Sequence, residues 1–332
     1  MIKAHITAIE LALTTALAQY EETMGQVFPT VPNLVPIADA NFWAVADIND
    51  GPLTITVSTG LVAELKKLWM NALADDDFKA GVGGPIDASA EEMTHLGFVW
   101  LMLHELHHFE MGHFEFAGRL CLTEAHAPST FGVVSRAKSK SSPTLTKIDA
   151  GDLPKVEPCL EMQADHDAIE MLIDAYSPDE WESLRVRTAA ISAVMMLIER
   201  EDAKNNHEHS SHPKAATRIF QLLGHVIEMP MIQAKIAMQH PELEIEPIVH
   251  SDEEQAAFNR AVVIPAFFDA VNLARIADAG TIREDLGEAQ DFFRDVQVAK
   301  LADPSKFDDL TTEGAVEWGR LMLFNPTLVQ SQ

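Results

Sequence analysis

Residues 101–113 read LMLHELHHFEMGH and place four histidines and two glutamates in thirteen positions, directly after the apolar run Leu96–Leu103. Within them, His104-Glu105-Leu106-His107-His108 contains the pattern HExxH. On a helix, positions i and i+4 are separated by about 40° around the axis, so two imidazoles so placed can grip one metal ion. Glu105 stands beside them, within reach of a water on that ion. The run ends an apolar helix, where buried polar groups need partners.

A second stretch, CLEMQADHDAIEMLIDAY, supplies what the first lacks. Glu161 and Asp165 are again four apart, so both carboxylates face the same way. Two histidines and one carboxylate, with a fourth position left for water, make a hydrolytic zinc arrangement. An aspartate one turn further on can accept the free N–H of a liganding histidine, which gives Asp165 a supporting role. Taken alone, the two carboxylates would read as a solvated helix face.

Of the remaining histidines, His113 would lie nearly opposite His104 if the helix continued, and reads as structural. His107 points off the metal face, into either the supporting shell or the surface. A third stretch, NNHEHSSHPKAATRIFQLLGHV, runs from loop into helix at His212-Pro213, with proline at an early helical position. His212 and Arg218 would then stand at the rim of the site.

These side chains need elements to hold them. PLTITVSTG, residues 52–60, is β-branched and bounded by Asp50-Gly51 and Gly60, which predicts a strand. FWAVADI, residues 42–48, predicts its hairpin partner across Asn49–Pro52. LVAELKKLWMNALA has helical periodicity, and a helix is expected from Ser89 to about Leu122. Helices are also expected over Cys159–Tyr176, Pro178–Glu201 and Pro213–Ile227, with a helical tail beyond. Residues 124–158 are rich in Ser, Pro and Gly and carry several lysines, which predicts a long loop, either a mobile flap or a solvated linker.

The chain has 332 residues, 47% of them apolar, enough for a substantial core. Its formal charge of −27, from 51 acidic and 24 basic residues, argues against nucleic-acid and anionic-membrane partners. Cys121 and Cys159 are too few for a disulfide framework. The opening segment reads as an amphipathic helix rather than a targeting sequence. The apolar stretch around residue 270 carries Asp269 and Arg275, against a membrane span. A cytoplasmic location is the expectation.

The order ITVSTGLVAEL, HELHH, EMQAD and SHPKAATRI resembles the gluzincin metallopeptidases typified by the HtpX heat-shock protease and the CAAX prenyl proteases, over about residues 40–225. The resemblance implies a zincin-like core with His104, His108 and Glu161 as zinc ligands, Glu105 as base and Asp165 as their supporting partner. It also implies a strand edge for pairing with substrate backbone. Those proteases carry transmembrane helices, and none is expected in this chain, so soluble relatives of the Lit-type phage-exclusion or ImmA/IrrE regulatory peptidases fit better. The metzincin spacing is excluded by Phe114 and Met111, and the thermolysin spacing by the long separation of His104 from Glu161.

The expectation is an α+β, mainly helical protein: a metallopeptidase domain over 1–228 with a small sheet, then a helical C-terminal extension over 229–332. The expected activity is zinc-dependent cleavage of a protein or peptide substrate. Glu105 would be the base, and His212, with Arg218 as the alternative, would stabilise the oxyanion. A peptide would bind along the strand Ile55–Ser58 beneath a loop around Ser135–Lys147. The alternative is a non-catalytic regulatory or interaction protein whose zinc is a structural clip.

Overall fold

The computed structural model describes residues 2–48, 51–114, 119–121, 148–205 and 212–330. In chain order the elements are α1 (Ile2–Met24), β1 (Asn33–Ile37), β2 (Ala44–Asp47), β3 (Thr54–Ser58), α2 (Thr59–Ala74), α3 (Asp76–Lys79), α4 (Ala90–Glu110) and β4 (Arg119–Cys121). Then follow α5 (Val156–Ile173), α6 (Trp181–Asp202), α7 (Ala215–Gln239), α8 (Asp252–Phe258), α9 (Ile264–Ile276), α10 (Gly280–Leu286), α11 (Ala289–Lys300) and α12 (Glu313–Val329). The protein is mainly helical with one small sheet, as the α+β expectation had it.

α4 is the axis of the structure. Its sequence is apolar on every side from Leu96 to Leu103, and a helix of that kind is stable only when surrounded. It is buried almost continuously from Phe98 to His108 and packs against α1, α2, α5 and α6. Ser89 caps its start, its hydroxyl accepting from the Glu92 N–H at 3.1 Å.

The expected continuation of α4 to Leu122 does not occur, because Gly112 stops it. Gly112 has φ of 71°, and its N–H donates to the Phe109 carbonyl at 3.1 Å. The His113 N–H donates to the His108 carbonyl at 3.0 Å. This is a Schellman turn, which satisfies the last carbonyls of the helix and needs a left-handed residue. His113 is therefore not on the far face of a longer helix; the turn folds it back beside His108.

The sheet order is β1-β3-β2-β4. β2 and β3 form the expected antiparallel hairpin, with Ala44 opposite Val57 and Asp47 opposite Thr54. β1, which the sequence reading did not identify, runs parallel to β3 from Asn33 opposite Thr54 to Ile37 opposite Ser58. Pro36 disguises it, since proline cannot donate to a ladder and is confined to edge strands. β3 is thus internal, and the expected docking of a peptide along Ile55–Ser58 is excluded: both its edges are already paired. The outer edges, among the described residues, are those of β1 and β4. At the β3–α2 junction the Ser58 hydroxyl accepts from the Leu61 N–H. A side chain at Gly60 would stand 2.3 Å from the carbonyl oxygens of Ala40 and Asn41.

α5 begins at Val156, inside the loop expected over 124–158, while residues 122–147 and the basic segment in them lie outside the described residues. α7 runs across the boundary expected between 228 and 229. Phe258, Phe267 and Phe292 of the C-terminal helices belong to the same buried apolar cluster as Trp69 and Trp100, so the C-terminal helices and the residues before them share one core. The helical run Asp252–Ile276 is long and apolar enough to cross a membrane by length and composition, and half of that stretch is buried inside the protein. Its Asp269 accepts from Arg185 of α6 at 2.7 and 2.9 Å, and Arg185 also donates to the Gly83 and Gly84 carbonyls.

The two glycines separate strain from collision. Gly112→Ala should cost about 1 kcal/mol, the price of a left-handed alanine. Gly60→Ala should cost at least about 3 kcal/mol, because its neighbours are backbone atoms that cannot turn aside. Urea unfolding of the two variants checks the order, and equal midpoints would refute it.

Candidate metal centre

α4 and α5 lie side by side, and this packing brings the two sequence motifs together. His104 Nε2 is 2.9 Å from His108 Nε2 and 3.2 Å from Glu161 Oε2. His108 Nε2 is 3.3 Å from Glu161 Oε1. Donor atoms around a tetrahedral ion with bonds of about 2.0–2.2 Å stand about 3.3 Å apart, so the three atoms are spaced as candidate ligands to one centre. Two imidazole lone pairs at 2.9 Å repel unless a proton or a cation lies between them. All three residues are buried, and the trio could hold a metal ion.

Asp165 lies behind His104, its Oδ1 2.9 Å from His104 Nδ1. Arg218 of α7 in turn donates to both oxygens of Asp165, Nε and Nη2 each at 2.7 Å. Both groups are fully buried. Burial pushes the Asp165 carboxyl up, but the Arg218 charge and His104 outweigh it and hold it below the usual range. Burial likewise pulls His104 down, while Asp165 and Glu161 on its two nitrogens raise it to about 10. Arg218 also stacks 5.5 Å from the centre of the Trp100 ring. The third nitrogen of its guanidinium, Nη1, is buried without a hydrogen-bond partner among the described residues. Most of the Arg218 guanidinium is therefore committed to Asp165.

His108 has its own support. Its Nδ1 is 2.8 Å from His113 Nδ1, and His113 Nε2 is 2.9 Å from Gln163 Oε1. Gln163 Nε2 donates to Asn325 Oδ1 of α12 at 2.7 Å. If His108 Nε2 gives its lone pair to an ion, its Nδ1 carries the proton and donates to His113. His113 then donates from Nε2 to Gln163, and both ring nitrogens of each of these histidines are used. Burial, with the charge of His108 next, pushes His113 down to about 3, so it is neutral as this relay requires. Only Gly112, a stop signal after the apolar run, marks this arrangement in the sequence.

Glu105 is buried, and its Oε2 has no hydrogen-bond partner among the described residues. Burial pushes its carboxyl up to about 7, against the opposing charge of His104. His212 is brought to the same place: its Nε2 is 3.7 Å from Glu161 Oε2, and its Nδ1 is 3.2 Å from Asp202 Oδ2. Asp202 closes α6 and escaped the sequence reading, because no helical spacing connects it with His212. His107 is buried rather than at the surface, and it turns away from the centre, with Nδ1 3.2 Å from Glu110.

No protein-family model matches the chain, and no curated protein or solved structure matches it either.

Two measurements check this centre. Elemental analysis of His104→Ala/His108→Ala should show the metal lost; retention would remove these residues as ligands. Asp165→Asn should weaken metal affinity about 10–100-fold. It should also lower stability by about 3–5 kcal/mol, because Arg218 is left buried and unpaired. Replacing both partners, as Asp165→Leu/Arg218→Met, should be less destabilising than Asp165→Asn alone, read from thermal unfolding.

Proposed function

We propose that this protein is a zinc-dependent endopeptidase acting on a protein or peptide substrate. The observation that carries the reading is Glu105: a buried carboxylate with one oxygen unpartnered, beside three converging ligand atoms. Burying such a group unpaired costs stability, and a catalytic base gives it a use.

His104, His108 and Glu161 would hold the ion, whose chemistry when bound is to bring the pKa of a water to about 7 and to polarise a carbonyl. Glu105, a buried carboxylate beside the centre, would take the proton of the attacking water and return it to the leaving amine. His212 is oriented by Asp202 through Nδ1, which leaves Nε2 facing Glu161 and the centre. Burial pulls His212 down, but Glu161 and Asp202 raise it, so it is disposed to donate a proton or hydrogen bond to a developing oxyanion. Asp165 and His113 keep the two imidazoles in the tautomers that face an ion with Nε2.

The position of His212 also supports a second reading, a structural clip. With Nε2 3.7 Å from Glu161 Oε2, a small side-chain movement would make it a fourth protein ligand and close the site.

Two variants decide between them. Glu105→Gln keeps the shape but cannot accept a proton, so zinc content should persist while hydrolysis of a quenched fluorescent peptide library falls at least ~10²-fold. Undiminished cleavage would exclude Glu105 as the base. His212→Ala should retain zinc and lower kcat and kcat/KM alike. Loss of zinc in that variant would establish the clip.

A further inference from the structure

The face of α5 away from the buried centre carries a second set of ligand atoms that the peptidase reading does not use. His166 and Glu170 are four residues apart on α5, with Nε2 and Oε1 3.4 Å apart. His225 of α7 faces them, its Nδ1 3.8 Å from the same Glu170 oxygen and its ring 5.9 Å from that of His166 at 82°. One donor atom from each residue lies within 4.8 Å of the other two. We propose that His166, Glu170 and His225 form a second, solvent-open site for a divalent transition-metal ion such as zinc, which clamps α5 to α7.

The 3.8 Å gap between His225 and Glu170 is too long for a hydrogen bond. It is close to the ~3.3 Å at which two donors sit on one tetrahedral ion. Within the protein His225 is the anchor: its side chain is only 9% exposed. A solvated surface pair would account for His166 and Glu170, which are half exposed. It leaves unexplained why a nearly buried imidazole is turned towards them.

The surroundings suit an exchangeable cation. His166 and His225 line a cavity of about 520 Å³, and Glu170 and His225 line another of about 880 Å³, so water reaches the trio from both sides. Asp167 borders both cavities and Glu228 the smaller one, adding negative charge; Lys300 is the opposing cation. Two imidazoles and one carboxylate select zinc, cobalt, nickel or copper over magnesium and calcium, which prefer oxygen alone. The site is independent of the peptidase reading, although the helices it joins are those that the Asp165–Arg218 pair already links.

The experiment is equilibrium dialysis of the full-length chain against zinc chloride, with bound zinc counted by elemental analysis. The parent should bind two ions, one of them in ready exchange. His225→Ala and the more exposed, fold-neutral His166→Ala should each weaken the exchangeable ion at least about tenfold and leave the other in place. His104→Ala/His108→Ala should lose the tight ion and keep the exchangeable one. In that background, copper(II) paramagnetic resonance should show coupling to two imidazole nitrogens, reduced to one by His166→Ala. A parent that binds a single ion, lost in His104→Ala/His108→Ala, overturns this site and leaves the buried centre standing. Two ions of unaltered affinity in both His166→Ala and His225→Ala overturn it as well. An exchangeable ion that responds to His166→Ala, with no tight ion in the parent, sustains this site and removes the buried one.

Discussion

Asp165 has no contact with water, and its charge is shared between two partners from different helices: Arg218 on α7 and His104 on α4. A buried carboxylate is tolerable only when its lone pairs are met by donors. That requirement sets the distance between α4, α5 and α7, and with it the position of Glu161 one turn earlier on α5. The convergence of Glu161 on His104 and His108 is thus a consequence of charge compensation at a neighbouring residue. Trp100, one turn before His104, completes the cage by stacking on Arg218.

The second support is built from neutral groups. The Gly112 turn returns the chain so that His113 meets the back of His108, and Gln163 and Asn325 extend the relay to α12. His104 is therefore backed by an anion and His108 by a neutral imidazole. An anionic partner makes an imidazole a stronger donor to a cation than a neutral partner does. The asymmetry distributes charge so that the buried cluster does not carry two carboxylates behind its histidines in addition to Glu161.

These demands explain why the C-terminal helices belong to the same core. α12 supplies Asn325 and packs its Leu321, Phe324 and Leu328 onto Cys159 and Leu160 of α5. α9 is anchored through Asp269 to Arg185. Each buried aromatic or aliphatic side chain contributes about 1.5–3 kcal/mol relative to exposure, which offsets the cost of enclosing so many polar groups around α4.

The sequence by itself determined the elements and the pairing of residue types. HExxH at the end of an apolar helix and Glu161 with Asp165 at a four-residue spacing were legible, because helical periodicity converts spacing into a shared face. The β2–β3 hairpin was legible from β-branched runs around a turn. Spacing within one helix says nothing about contacts between helices, so the partners of those residues were not legible: Arg218 on Asp165, Asp202 on His212 and Gln163 on His113. β1 was hidden because Pro36 breaks the strand signal, and its parallel pairing with β3 depends on a crossover that local pattern does not encode. The end of α4 was signalled only by Gly112, and where His113 then goes is set by the Schellman turn. Tertiary structure alone decided which polar groups share a buried volume, and burial is what turns a row of histidines into a candidate site.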